Sequence, residues 1–206
     1  MEQTRVTIMD GADRVMNVAD AHRLDNPERL KWLPPDRVLE LLPPCPAATV
    51  ADIGAGTGYF AIPLAQAIGP DGKVFAIDLQ PEMLDLLRKK IEGPGSPRNI
   101  SLLQGTAEST TLPPVSCDLV FIANVWHELP DHAAALREFR RVLRPDGALA
   151  IVDWRPDAEH PPGPPIKHRI DAAEVGRKLE KRRWTVVENT SVGSYSYFIL
   201  ARPKAG

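Results

Sequence analysis

Short apolar runs alternate along most of this chain with stretches in which apolar residues return every three or four positions. Residues 48–53 (ATVADI) are compact and apolar enough for a buried strand, and residues 60–68 restore apolar positions at helical spacing until Gly69 and Pro70 end them. The same alternation predicts strands at 73–77, 100–103, 117–123 and 148–152, with helices at 81–91 and 131–143. Pro81 suits a first helical turn, where its missing N–H costs nothing. Gly93 to Pro97 breaks the pattern, Arg144 to Gly147 reads as a turn, and residues 161–165 form a proline-rich loop unable to join helix or sheet. Asp171 and Glu174 read as a capping pair that starts a helix running to Arg183. Strands at 184–190 and 195–201, four residues apart, predict an antiparallel hairpin. The expectation is an α/β fold: a doubly wound sheet of seven strands, five parallel and closed by that hairpin.

Upstream, residues 21–42 predict two short proline-started helices seated on the sheet layer by Leu30, Leu33, Val38, Leu41 and Leu42, with a loosely held segment before residue 20. The chain thus divides into an amino-terminal helical segment, 1–46, packing on the core, and a ligand-binding domain, 47–206.

Composition narrows the function. A chain of 206 residues builds one core, and 43% hydrophobic with 25% charged residues fits a soluble globular protein. The formal net charge of −2 offers no general attraction for a polyanion, which disfavours nucleic acid as a partner. Cys45 and Cys117 form no C-x-x-C motif and read as small hydrophobes of a reducing compartment. With no apolar run of about 18 residues and no signal-peptide core, the expected location is the cytoplasm, without membrane insertion. The five histidines are too scattered for a metal site, and oligomeric state is not legible. Arg177, Lys178, Lys181, Arg182 and Arg183 read as the solvated end of the last helix.

The chemistry centres on residues 50–60. Gly54, Gly56 and Gly58 stand at a strand-to-helix corner, with Ala55 between the first two, where the backbone can approach a ligand closely. A dinucleotide site favours G-x-G-x-x-G and a pyrophosphate; here the spacing is G-x-G-x-G, and Asp52 two residues earlier would repel a pyrophosphate but suits a cationic ligand. Asp78 ends the second strand where an acid accepts hydrogen bonds from ribose hydroxyls, and Leu79 beside it suits an adenine face. Strand ends are where open α/β sheets bind ligands, which singles out Gln104 to Glu108, Asn124, and Asp153 with Trp154. His127 and Glu128 are the adjacent candidates for a general base there.

Asp52, Gly54, Gly56 and Gly58 match the D/E-x-G-x-G-x-G loop of the class I S-adenosylmethionine-dependent methyltransferases, and the segment Gly105 to Glu108 followed by Leu112-Pro113 resembles that of the ubiquinone/menaquinone biosynthesis group. The resemblance spans about residues 47–203. It implies a Rossmann-like sheet of order 3-2-1-4-5-7-6 with the last strand antiparallel, S-adenosyl-L-methionine as cofactor, and in-line methyl transfer to a small-molecule acceptor. It also implies that Thr106 replaces an acid that contacts the adenine amino group, leaving that contact to the Thr106 hydroxyl or to Glu108. By the same resemblance the Ala107 amide meets a ring nitrogen, Asn124 walls the methionine pocket, and the amino-terminal segment also covers the cofactor or shapes substrate entry. The N-P-P-Y type tetrapeptide of amino-directed nucleic-acid methylases is missing after Asn124. RNA or protein methylation and non-catalytic cofactor binding are the alternative readings, and a dinucleotide-dependent oxidoreductase is disfavoured by Asp52.

Overall fold

The computed structural model describes residues 16–43, 46–158 and 162–204. The expectations for residues 1–15, Cys45, His160 and Pro161 lie outside them. Seven strands, β1 (Thr49–Ile53), β2 (Lys73–Asp78), β3 (Ile100–Gln104), β4 (Cys117–Ala123), β5 (Leu143–Trp154), β6 (Trp184–Val192) and β7 (Ser196–Pro203), form one sheet in the order β3-β2-β1-β4-β5-β7-β6. Pairing is parallel from β3 through β5, while β7 runs antiparallel to both β5 and β6. The anticipated fold and strand order are both found. Val50, Val120, Ile122 and Ile151 are fully buried, because the central parallel strands are covered on both faces.

Helices supply the cover: α1 (Arg29–Trp32), α2 (Pro35–Leu39), α3 (Ala61–Ile68), α4 (Pro81–Ile91), α5 (His132–Val142) and α6 (Ala172–Lys181). Val38, Leu64 and Leu87 place α2, α3 and α4 in one apolar cluster, and Leu136, Phe139, Val175 and Leu179 place α5 and α6 in the other, across the sheet. Asp131 caps α5 by accepting from the Ala133 and Ala134 amides, and Asp171 caps α6 from Ala173.

Four expectations change. Residues 144–147 are not a turn between elements: they lie within β5, where the register jumps from Leu143 opposite Cys117 to Ala148 opposite Leu119. The charged Arg144-Pro145-Asp146 segment bulges out of the ladder while the apolar residues on either side stay paired. Glu174 pairs one turn on with Lys178 at 2.9 Å. Leu30 is exposed rather than seated on the sheet, and the fully buried residues of that segment are Leu33 and Val38. The amino-terminal segment also begins earlier than its prolines suggest, with a 3₁₀ helix Val18–Asp25 capped by the Asn17 side chain.

Candidate active site

The strand-to-helix corner is built as the glycine spacing demands. Gly54 and Gly56 adopt left-handed φ values of 69° and 54°. A Cβ on Gly54 would stand 2.5 Å from Val125 Cγ2, so the corner closes only because that side chain is absent. The amides of Gly54 and Ala55 both donate to the Ile77 carbonyl, at 2.8 and 3.0 Å, tying the loop to the end of β2. Asp78 completes the tie: Oδ2 accepts from the Gly56 amide at 2.8 Å and Oδ1 from the Gln80 amide at 2.9 Å. One carboxylate thus holds the loop and opens α4 before it meets any ligand.

Above this corner lies a cavity of about 1130 Å³, lined by Asp52, the glycine loop, Asp78, Leu79, residues 105–108, Asn124, His127 and Glu128. The fold brings most of the residues that the sequence singled out to one cavity at the ends of four strands, but Gly58, Gln104 and Asp153 are not in its lining, and Gly58 instead makes room for Leu87 of α4. The cavity exceeds the usual span for one small ligand, roughly 300–1,000 Å³. Its far wall contains Trp32, Leu129, Trp154 and Pro162 to Pro165.

Acid chemistry dominates the floor. Asp52 is buried, its Oδ2 has no hydrogen-bond partner, and burial together with the nearby Asp78 pushes its pKa up to about 7. Burial also raises Asp78, opposed by the Gln80, Gly56 and Leu79 amides. Glu108 Oε1 and Asn124 Oδ1 are likewise buried without partners. Asn124 adopts a left-handed φ of 58° at the end of β4, a conformation that asparagine tolerates better than most residues. Three unpaired buried acceptor oxygens around one cavity suit a cationic ligand rich in N–H and O–H donors. S-Adenosylmethionine, with an ammonium, a sulfonium, an adenine amino group and two ribose hydroxyls, fits that donor set.

The loop after β3 differs in detail from its sequence reading. Thr106 and Ser109 form a small bridge in which the Thr106 hydroxyl accepts from the Ser109 amide at 3.1 Å. Leu79 is half exposed at the rim, and Ala107 is buried.

His127 and Asp153 form a buried pair. The His127 ring Nδ1 lies 2.8 Å from Asp153 Oδ1, and the His127 amide donates to Asp153 Oδ2 at 2.9 Å. Asp153 Oδ1 also accepts from the Trp154 amide at 2.7 Å, so this acid, a candidate substrate contact by its strand-end position, is committed to holding the imidazole. The carboxylate fixes the proton on Nδ1 and leaves Nε2 as the lone-pair nitrogen, 3.8 Å from Glu128 Oε1. Burial alone would lower the His127 pKa, but the Asp153 and Glu128 charges outweigh it and raise the value. Burial pushes Glu128 up to about 7, against the pull of His127.

The amino-terminal segment contributes residues that sequence reasoning did not single out. Asp25 accepts from the Thr57 hydroxyl at 2.7 Å and from Lys90, which also reaches the Thr57 carbonyl at 2.8 Å. Leu24 packs against Gly56, and Arg29 lines the cavity beside Asp52. No spacing marks Arg29, since it stands among charged residues in a segment whose apolar pattern speaks only of packing.

A family model described as a methyltransferase domain matches residues 51–151. The demethylmenaquinone methyltransferase of Lactobacillus johnsonii is 38% identical over 116 residues, covering 56% of this chain and 46% of the relative. An uncharacterized methyltransferase of Mycobacterium bovis is 35% identical over 165 residues, covering 73% of this chain and 63% of its own length. The chain thus spans about half to two thirds of these curated relatives. It is similar to a SAM-dependent methyltransferase of known structure from Aquifex aeolicus, with 32% identity, a TM-score of 0.85, and coverage of 91% of this chain and 98% of that one. With the acid-and-glycine loop, the strand order and the donor-seeking cavity, this places the chain in the S-adenosylmethionine-dependent methyltransferase family.

Proposed function

We propose that the protein methylates a small, weakly acidic acceptor, with His127 as general base and Asp153 as the residue that positions it. The observation that carries this reading is the His127–Asp153 pair opening on the same cavity as the cofactor loop.

When bound, S-adenosylmethionine supplies an electrophilic methyl group. Asp52 would accept its ammonium, Asp78 would accept the ribose hydroxyls, Leu79 and the Ala107 amide would serve the adenine, and Asn124 would serve the methionine chain. The Thr106 hydroxyl is already engaged, whereas Glu108 Oε1 is buried and unpaired, so Glu108 is the better acceptor for the adenine amino group. His127 takes the acceptor's proton at Nε2, and Asp153 stabilises the imidazolium that results. Glu128 is the next group to Nε2 and passes that proton toward solvent. Aligning two bound reactants removes much of the remaining barrier, on the order of 7–11 kcal/mol for well-oriented pairs.

The relatives named for demethylmenaquinone support an acceptor of small-molecule size, as do the apolar far wall and the negative floor, which repels polyanions. No helix among the described residues is long and apolar enough to cross a membrane.

The test is release of S-adenosylhomocysteine across a panel of phenol, carbon-acid, thiol, carboxylate and amine acceptors. A turnover acceptor should lose about 10²–10⁴-fold in kcat with His127→Ala. Asp153→Asn should shift the acid limb of the kcat profile to lower pH, because it removes the charge that raises His127. Full turnover by His127→Ala would refute the base assignment, and cofactor binding with no turnover of any acceptor would refute the enzymatic reading.

A further inference from the structure

Among the described residues, Arg29 is the one buried arginine or lysine on the cavity wall. Its guanidinium lies 3.9 Å from the Tyr59 ring centroid, and the whole residue is 6% exposed. Nη1 donates to the Leu24 carbonyl at 3.1 Å, while Nε is buried with no hydrogen-bond partner. The two acids whose charges reach it do not pair with it: Asp25 is engaged by Thr57 and Lys90, and no ion pair within 4 Å joins Arg29 to Asp52. Burial lowers its pKa to about 10, so it carries its charge throughout the neutral range.

A buried, charged, partly unsatisfied guanidinium is costly unless an anion completes it. Asp52, on the same wall, has the complementary defect of an unpaired carboxylate oxygen that wants a cation. A ligand that satisfied only one of them would leave the other stranded. A zwitterion satisfies both.

We propose that Arg29 is the receptor for the α-carboxylate of the cofactor's amino-acid end, so that Arg29 and Asp52 together read the two charges of one zwitterion. This rests on the assignment of S-adenosylmethionine to the cavity. The Tyr59 ring packs against the guanidinium, its own hydroxyl anchored by donation to the Leu33 carbonyl at 2.7 Å. The guanidinium's planar donors match a carboxylate edge in a way that an ammonium does not. The assignment also gives the amino-terminal segment a task. Arg29 sits on α1, whose neighbours Leu24 and Asp25 already touch the glycine loop, so a bound carboxylate adds a further tie between that segment and the sheet.

Calorimetry on the full chain tests this with three ligands: S-adenosylhomocysteine, its carboxamide, which lacks the anionic charge, and 5′-methylthioadenosine, which lacks the amino acid altogether. On the unmodified protein, the carboxamide should bind about 30-fold more weakly than S-adenosylhomocysteine. Arg29→Met should weaken S-adenosylhomocysteine by a similar factor, leave 5′-methylthioadenosine within about 3-fold, and abolish the preference for carboxylate over carboxamide. Arg29→Lys should fall between. Equal binding of acid and carboxamide by the unmodified protein would overturn the proposal even if Arg29→Met failed to fold. Equal weakening of S-adenosylhomocysteine and 5′-methylthioadenosine in Arg29→Met would assign Arg29 a packing role instead. Binding of none of the three ligands by the unmodified protein would overturn the cofactor assignment, an outcome distinct from both.

Discussion

Titrating Asp52 should switch the affinity for the cofactor. In the ligand-free protein its pKa is raised from 3.8 to about 7 by burial and by Asp78. A bound ammonium favours the charged form and draws that value back down. Binding below pH 7 therefore releases a proton, and affinity falls about tenfold for each pH unit below the free value. Between pH 8 and pH 5 the loss for S-adenosylhomocysteine is about 100-fold, a window in which the ligand's own ammonium stays protonated. Calorimetry in two buffers of different ionisation enthalpy reads both the affinity and the proton count, which should approach one near pH 5.5. Asp52→Asn should show no such slope and should bind, at every pH, about as weakly as the unmodified protein does at pH 5. Glu128 titrates in the same range but beside His127, so Glu128→Gln should keep the slope.

The same residue makes an opposite prediction for stability. Its folded pKa lies above its unfolded value, so the folded state binds the extra proton between about pH 4 and pH 7, and stability of the free protein falls as pH rises through that window. At about 1.36 kcal/mol per unit, the shift from 3.8 to about 7 sets an upper bound of ~4 kcal/mol on the cost of an ionised Asp52 at pH 8. Asp52→Asn should therefore melt higher than the unmodified protein at pH 8 and bind its cofactor less well. A variant that is both less stable and normal in binding, or an affinity that is flat from pH 5 to pH 8, would refute the reasoning.

Two other changes separate the loop from the scaffold. Gly54→Ala adds a Cβ against Val125 at a left-handed φ, so it should cost roughly 1–3 kcal/mol of stability and weaken S-adenosylhomocysteine binding, read by thermal melts and calorimetry. Glu138, whose carboxylate accepts from the Thr110 amide, the Thr110 hydroxyl and Arg141, has its pKa pulled down to about 2, first by Arg141. Its stabilisation is present above the unfolded value of 4.5 and lost as pH falls toward 2, and Glu138→Ala should cost about 2–4 kcal/mol at pH 7 in urea melts, with a smaller deficit near pH 3.

Much of the fold was legible because its signals are local. Alternating apolar runs, Pro81 at a helix start and a four-residue gap before the last strand each specify an element without distant contacts. The bulge at 144–147 was not, because Arg-Pro-Asp-Gly carries turn chemistry and only the pairing of Leu143 with Cys117 keeps the segment inside the strand. The same division holds at the site. Asp52, Asp78 and the glycines announce themselves by spacing from a strand end. Asp153 was visible as a strand-end acid, but its partnership with His127 joins residues 26 apart in sequence through the neighbouring ends of β4 and β5. Arg29 carries no spacing signal, since its place beside Asp52 depends on how the amino-terminal segment folds back over the sheet.

That dependence bears on how the site is held in check. Asp52, Asp78, Glu128 and Asp153 converge on one end of the sheet, and the first three have their pKa values raised by burial. Asp78 accepts from the backbone amides of Gly56 and Gln80, and Asp153 from those of His127 and Trp154, so both are fixtures of the fold. Asp52 and Glu128 have no such compensation and remain responsive to what enters. The carboxylates that hold the loop and the imidazole are therefore satisfied by the protein, and the two others on the cavity are left short of partners. Neutralising Asp78 should consequently loosen the loop and weaken cofactor binding together, whereas neutralising Asp52 should weaken cofactor binding while the loop stays in place and the free protein melts higher at pH 8.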